Sequence, residues 1–67
     1  MMTLKTKLRK YRFLKDEMTQ KQLADLVHVS RQTIHAIERG KFNPSVRLAL
    51  LIAQVFQSPV EDIFYLE

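Results

Sequence analysis

Cysteine is absent from the chain, so neither a disulfide nor a thiolate-held metal can stabilise it. The two histidines, His28 and His35, are too few to build a structural zinc site without cysteine. Glycine occurs once and proline twice in 67 residues, which argues against a loop-rich or all-β design. Long apolar runs are missing as well. The longest spans residues 48–53, far short of the ~20 residues that a membrane-spanning helix requires. Residues 1–15 are basic throughout and hold no uninterrupted apolar stretch. No secretory leader is therefore expected, and the protein is expected in the cytoplasm.

What is present suits one small helical domain spanning residues 1–67. Hydrophobic residues make up 46% of the chain, a globular rather than a disordered balance. A chain this short removes only about 60% of its unfolded surface from water, so stability is left to helix packing, with or without a partner subunit. The formal net charge of +4 favours a polyanionic partner such as nucleic acid or an anionic membrane surface.

The apolar periodicity and the capping residues divide the chain into five helices, at about residues 4–14, 19–27, 30–39, 45–56 and 59–64. This is an all-α fold, a compact five-helix bundle. Leu4, Leu8 and Tyr11 recur at helical spacing with Lys and Arg between them, and Phe13 or Leu14 extends the stripe. Residues 15–17 read as a turn. Thr19 with Gln22 three residues later forms a capping-box pattern ahead of Leu23, Ala24 and Val27. Ser30 caps the third helix, whose inner face holds Ile34 and Ile37, and Gly40 is its natural stop. Asn43 and Pro44 mark a loop before Ser45, the cap of a fourth helix with a wide apolar face of Leu48, Leu51, Ile52, Val55 and Phe56. Ser58 and Pro59 open a brief fifth helix. The tail after Phe64 is expected to be extended or frayed.

The second and third helices form the informative unit. Ala24 is small where two helices must cross closely, and Val29 fills the angle between them. The second helix of the pair then presents Arg31, Gln32, Thr33 and His35 outward, all able to hydrogen-bond to base edges or phosphates.

The run Thr19-Gln20-Lys21-Gln22-Leu23-Ala24, then Val29-Ser30-Arg31-Gln32-Thr33-Ile34, then Ile37-Glu38-Arg39-Gly40 and Asn43-Pro44-Ser45 resembles the phage repressor/Cro (Xre) family of helix-turn-helix regulators, in particular its compact single-domain bacterial members. The likeness extends from about Leu8 to Phe64. It implies a lambda-repressor-like DNA-binding domain whose recognition helix, about 30–39, lies in the major groove of double-stranded DNA. Arg31 and Gln32 become the principal base readers. Arginine grips guanine O6 and N7 with two bonds, and glutamine does the same for adenine N6 and N7. Thr33 and His35 are secondary candidates, and Ala36 offers a methyl against thymine. The resemblance assigns phosphate contacts to Gln20, Ser30, Lys41, Asn43 and Arg47, and an ion pair between Arg12 and Glu38 as a structural clamp. It also implies a homodimer on an inverted-repeat operator, with half-sites roughly 34 Å apart. The apolar chain end, Ile63, Phe64 and Leu66, is the expected dimer contact. Two departures from the family pattern stand out. His28 occupies a turn position usually held by glycine, and the stretch from Tyr11 to Thr19 is one residue longer than usual.

The plainer readings are solvated faces. Lys5, Lys7, Arg9 and Lys10 read best that way, and Glu61 with Asp62 serve a helix dipole. No nucleophile–base pair, carboxylate dyad or glycine-rich phosphate loop is recognisable, so no enzyme activity, cofactor or small-molecule ligand is expected. A transcriptional regulator, specifically a repressor acting by operator occlusion and nucleoid-associated when DNA-bound, is the leading expectation. A DNA-binding antitoxin of a toxin–antitoxin pair is the second. A protein–protein module that has lost DNA binding is the third, and it predicts a neutral or acidic face where Arg31, Gln32 and Lys41 stand.

Overall fold

The computed structural model describes residues 2–67. In chain order it contains β1 (Leu4–Thr6), α1 (Leu8–Leu14), α2 (Gln20–Val27), α3 (Arg31–Glu38), α4 (Val46–Phe56), α5 (Val60–Ile63) and β2 (Phe64–Leu66). None of these helices is long and apolar enough to cross a membrane.

The helical apolar faces converge on one core. Leu8 from α1, Leu23 from α2, Ile34 from α3, Ile52 from α4 and Ile63 from α5 are fully buried. Each helix therefore contributes a large aliphatic side chain to the centre, and burying one such group contributes about 1.5–3 kcal/mol. Tyr11 and Phe56 pack edge to face with ring centroids 5.9 Å apart, joining α1 to the end of α4. No polar or charged residue among those described is fully buried.

The termini depart from an all-α architecture. Residues 4–6 form a strand rather than the first turn of a helix. They pair antiparallel with the tail, Leu4 opposite Leu66 and Thr6 opposite Phe64. Backbone bonds between Thr3 and Glu67, at 2.8 and 2.9 Å, close the open end of the pair. The Leu4–Leu8 spacing imitates a helix, but the two leucines reach the core from different elements. Thr6 makes the change of direction: its hydroxyl donates to the Ile63 carbonyl at 3.0 Å and accepts from the Leu8 N–H at 3.1 Å. The tail is thus extended and paired, not frayed.

Pairing of the termini also removes the expected dimer contact. Ile63 is fully buried and Phe64 is 8% exposed, both consumed by this chain's own core, while Leu66 alone of the three stays exposed. Phe13 or Leu14 is expected to extend the inner stripe of α1, but neither does: they point outward at 62% and 68% exposure. The helix ends there, so the buried stripe closes at Tyr11. Ser58 does not cap α5. Its hydroxyl donates to the Phe56 carbonyl, and Pro59 occupies the cap position without a side-chain bond.

The connection between α1 and α2 has a specific geometry. Asp16 and Glu17 both take left-handed backbone conformations, φ 54° and 52°, which is uncommon for residues other than glycine. The turn folds back so that the Met18 N–H donates to the Arg12 carbonyl at 2.9 Å. The Arg12 guanidinium in turn donates to the Met18 carbonyl at 2.6 Å. Arg12 is thereby left aimed at Glu38 of α3.

Candidate nucleic-acid interface

Each helix of the α2–α3 pair starts on a side-chain cap. Thr19 accepts from the Gln22 N–H at 2.9 Å while the Gln22 side chain accepts from the Thr19 N–H at 2.8 Å, a complete capping box. Ser30 accepts from the Thr33 N–H at 3.2 Å. Between them His28 adopts φ 62° and ψ 43°, the left-handed conformation that glycine would take at no steric cost. The Val29 N–H returns to the Ala24 carbonyl at 3.0 Å, so the turn is tight. Ala24 is fully buried, as are Leu23 and Ile34, with Val27 and Ile37 nearly so. That packing fixes the angle between the two helices.

The packing leaves one face of α3 in solvent. Arg31, Gln32 and His35 are exposed along it, with Thr33 and Ala36 half-buried at its margins. Neither α2 nor α3 has an acidic residue in its first turn. The partial positive charge of both helix N-termini is therefore uncompensated from within, which favours an anion there. The Ser30 and Thr33 hydroxyls lie 3.0 Å apart and are already engaged with each other and with the cap.

Behind this face runs a network of polar side chains. Arg12 donates from Nε to Glu38 Oε2 at 2.6 Å and from Nη2 to Oε1 at 3.0 Å, a two-bonded ion pair between α1 and the end of α3. The side chains of Arg12 and Glu38 are only 13% and 8% exposed. Gln20, at the start of α2, donates to Glu38 Oε1 at 3.0 Å. Its Oε1 accepts from Arg31 Nη1 at 3.3 Å, and its Nε2 also lies 3.4 Å from His35 Nδ1. Sequence reading placed Gln20 at a phosphate and did not link it to Glu38 or Arg31. Capping and periodicity carry no signal for a contact between side chains on two different helices.

The far end of α3 closes on Gly40. Its φ of 73° lets the Lys41 N–H reach the Ala36 carbonyl at 2.9 Å and its own N–H reach the Ile37 carbonyl at 3.0 Å, a Schellman pair. The chain then leaves through Lys41 and Asn43, both exposed, and enters α4 with Arg47 also exposed. Arg39, exposed at the helix end, is a further cation here that sequence reasoning left without a role. Among the described residues the only ion pairs are Arg12–Glu38 and Lys21–Asp25, so Arg31, Arg39, Lys41 and Arg47 have no carboxylate partner. No group of three or more His, Cys, Asp or Glu side chains among the described residues is placed to hold a metal.

A helix-turn-helix family model matches residues 8–63, the stretch from the first buried residue of α1 to the last of α5. An HTH-type transcriptional regulator of Methanocaldococcus jannaschii is 52% identical over 64 residues, covering 96% of each chain. Another, from Archaeoglobus fulgidus, is 49% identical over 61 residues, covering 91% of this chain and 86% of its own. A Bacillus subtilis protein of the same description is 47% identical over 49 residues, covering 73% of this chain and 74% of its own.

Proposed function

The chain belongs to the Cro/C1-type (Xre) helix-turn-helix family of DNA-binding transcriptional regulators, and on that premise we propose that it is a repressor acting by operator occlusion. Residues 1–67 act as one DNA-binding unit, with the N-terminal part of α3 in the major groove. The observation that carries this reading is the exposed face of α3. It offers Arg31 and Gln32, the two residue types that read guanine and adenine bidentately, with no acidic side chain paired to the arginine. Thr33, His35 and Ala36 line the margin of the same contact. Gln20 and Ser30 at the two helix starts, and Lys41, Asn43 and Arg47 beyond Gly40, hold phosphates on either side and set the register.

A DNA-binding face of this kind represses most simply by covering a promoter element. A second copy supplies the affinity that one short helix lacks. Because Ile63 and Phe64 are committed to the core, the two-fold contact falls instead on α4. Val46 and Leu50, one turn apart, are 77% and 50% exposed. Val46 follows directly on the loop holding Lys41 and Asn43, so a contact there joins two DNA-binding faces.

Selection of bound duplexes from a random pool tests the reading. Enrichment of one inverted repeat, with half-sites about one helical turn apart, is the expected result. Enrichment of no sequence, with binding that only weakens as salt rises, would show a basic surface that does not read bases and would exclude the proposal.

A further inference from the structure

Pairing of the chain ends sets β1 and β2 beside the end of α3, and a cleft of about 300 Å³ lies between them. Small-molecule sites run from roughly 300 to 1,000 Å³, so this one suits a ligand of modest size. We infer that the cleft binds a small organic anion, a carboxylate on a single-ring apolar body, and that its occupation weakens operator binding. The binding is independent of the function proposed above, whereas the weakening rests on it.

The lining has an apolar part and a cationic part. Ile37 and Phe64 reach it from the core, and Phe42 and Tyr65 face it from the loop after Gly40 and from β2. Phe42 is 49% exposed, and a flat apolar ligand would take its ring out of water. Lys5 of β1 and Arg39 at the end of α3 line the same cleft, both exposed and both without a carboxylate partner among the described residues. The Lys7 ammonium stands 5.4 Å from the centre of the Tyr65 ring, a further positive charge beside the cleft. Glu38 is the one acid in the lining, and its carboxylate is already held by two bonds from Arg12 and one from Gln20. The cleft therefore holds positive charge without a counter-ion. The planar guanidinium of Arg39 matches a carboxylate through two parallel bonds. Sequence reading expected no small-molecule ligand, since this cleft exists only once the termini pair.

The same cleft borders the DNA-binding face. Gly40, Asn43 and Pro44 form one of its walls, and Asn43 and the neighbouring Lys41 are the phosphate contacts proposed beyond α3. An anion held at Arg39 sets negative charge against the approaching DNA backbone. Ligand and operator then lower each other's affinity by the same factor.

Titration of the isotope-labelled chain, followed by amide chemical shifts, tests the site. The probes are benzoate, phenylacetate and cinnamate, each beside its carboxamide, at fixed ionic strength. At least one acid is expected to shift Lys5, Arg39, Phe42 and Tyr65 and to saturate below about 1 mM, while its amide does not. Arg39→Gln is expected to weaken that binding by about tenfold while melting as wild type does. No saturable shift from any acid, equal shifts from the amides, or shifts centred on Arg31 and Arg47 would overturn the site. The saturating acid is next expected to lower wild-type operator affinity by about fivefold or more. It should leave the operator affinity of Lys5→Gln, altered outside the DNA-binding face, nearly unchanged. Binding with no effect on operator affinity overturns the regulatory role and keeps the site. A chain that selects no operator defeats that role together with the function proposed above, and the titration result stands by itself.

Discussion

Glu38 and Arg12 meet through two hydrogen bonds, at 2.6 and 3.0 Å, across a contact that is nearly closed to solvent. The pair joins α1 to the end of α3, and its carboxylate also receives Gln20. An ion pair this buried contributes little net stability, because desolvation offsets attraction, but an orphaned partner is costly.

Glu38→Ala is therefore expected to destabilise the fold by about 3–5 kcal/mol, leaving the Arg12 charge without its acceptor. Urea unfolding measures this. Adding Arg12→Met to Glu38→Ala is expected to recover part of the loss. A single variant as stable as wild type would show that the pair is not a clamp.

The two left-handed turn residues that flank α3 differ in what they tolerate. Gly40 at φ 73° has nothing within 4 Å of an added Cβ, so Gly40→Ala meets conformational strain alone. A loss of about 1 kcal/mol is expected. His28 already bears that strain at φ 62°. His28→Gly is expected to stay within about 1 kcal/mol of wild type, relief of strain being offset by the added freedom of the unfolded chain. Thermal melts of both variants settle the order.

Much of this arrangement was legible in the sequence because the signals were local. Thr19, Ser30 and Ser45 are caps visible as residue types, and Gly40 is a stop visible as the sole glycine; the structure shows all four in those places. The strand pair was illegible for the opposite reason. Leu4 meets Leu66 from the far end of the chain, and a three-residue strand shows too little alternation to compete with the helical spacing of Leu4 and Leu8. The same holds for the dimer surface. Four apolar residues at a chain end look unpartnered until Ile63 and Phe64 are seen to lie in the chain's own core. The Gln20–Glu38 bond likewise depends on how two helices cross.

Lys41→Ala is expected to weaken binding about equally on all duplexes and to lower the slope of log affinity against log salt by about one. Titrations at several salt concentrations provide both quantities. A loss confined to one base pair would instead make Lys41 a reader.

Leu50→Glu places a charge on the exposed face of α4, where the side chain is half exposed and the fold has no need of it. The variant is expected to melt close to wild type, sediment as a monomer and bind the full operator far more weakly than wild type. An unchanged sedimentation coefficient from an oligomeric wild type would move the two-fold contact elsewhere.

The central claim is that α3 reads bases through Arg31, and the direct measurement is the affinity of wild type and Arg31→Ala across every single-base-pair variant of the selected operator. The account predicts that Arg31→Ala loses about 1–3 kcal/mol of discrimination at one G·C pair in each half-site and keeps the remaining preferences. A variant that binds more weakly everywhere yet discriminates as wild type does would contradict it, leaving Arg31 on the phosphate backbone.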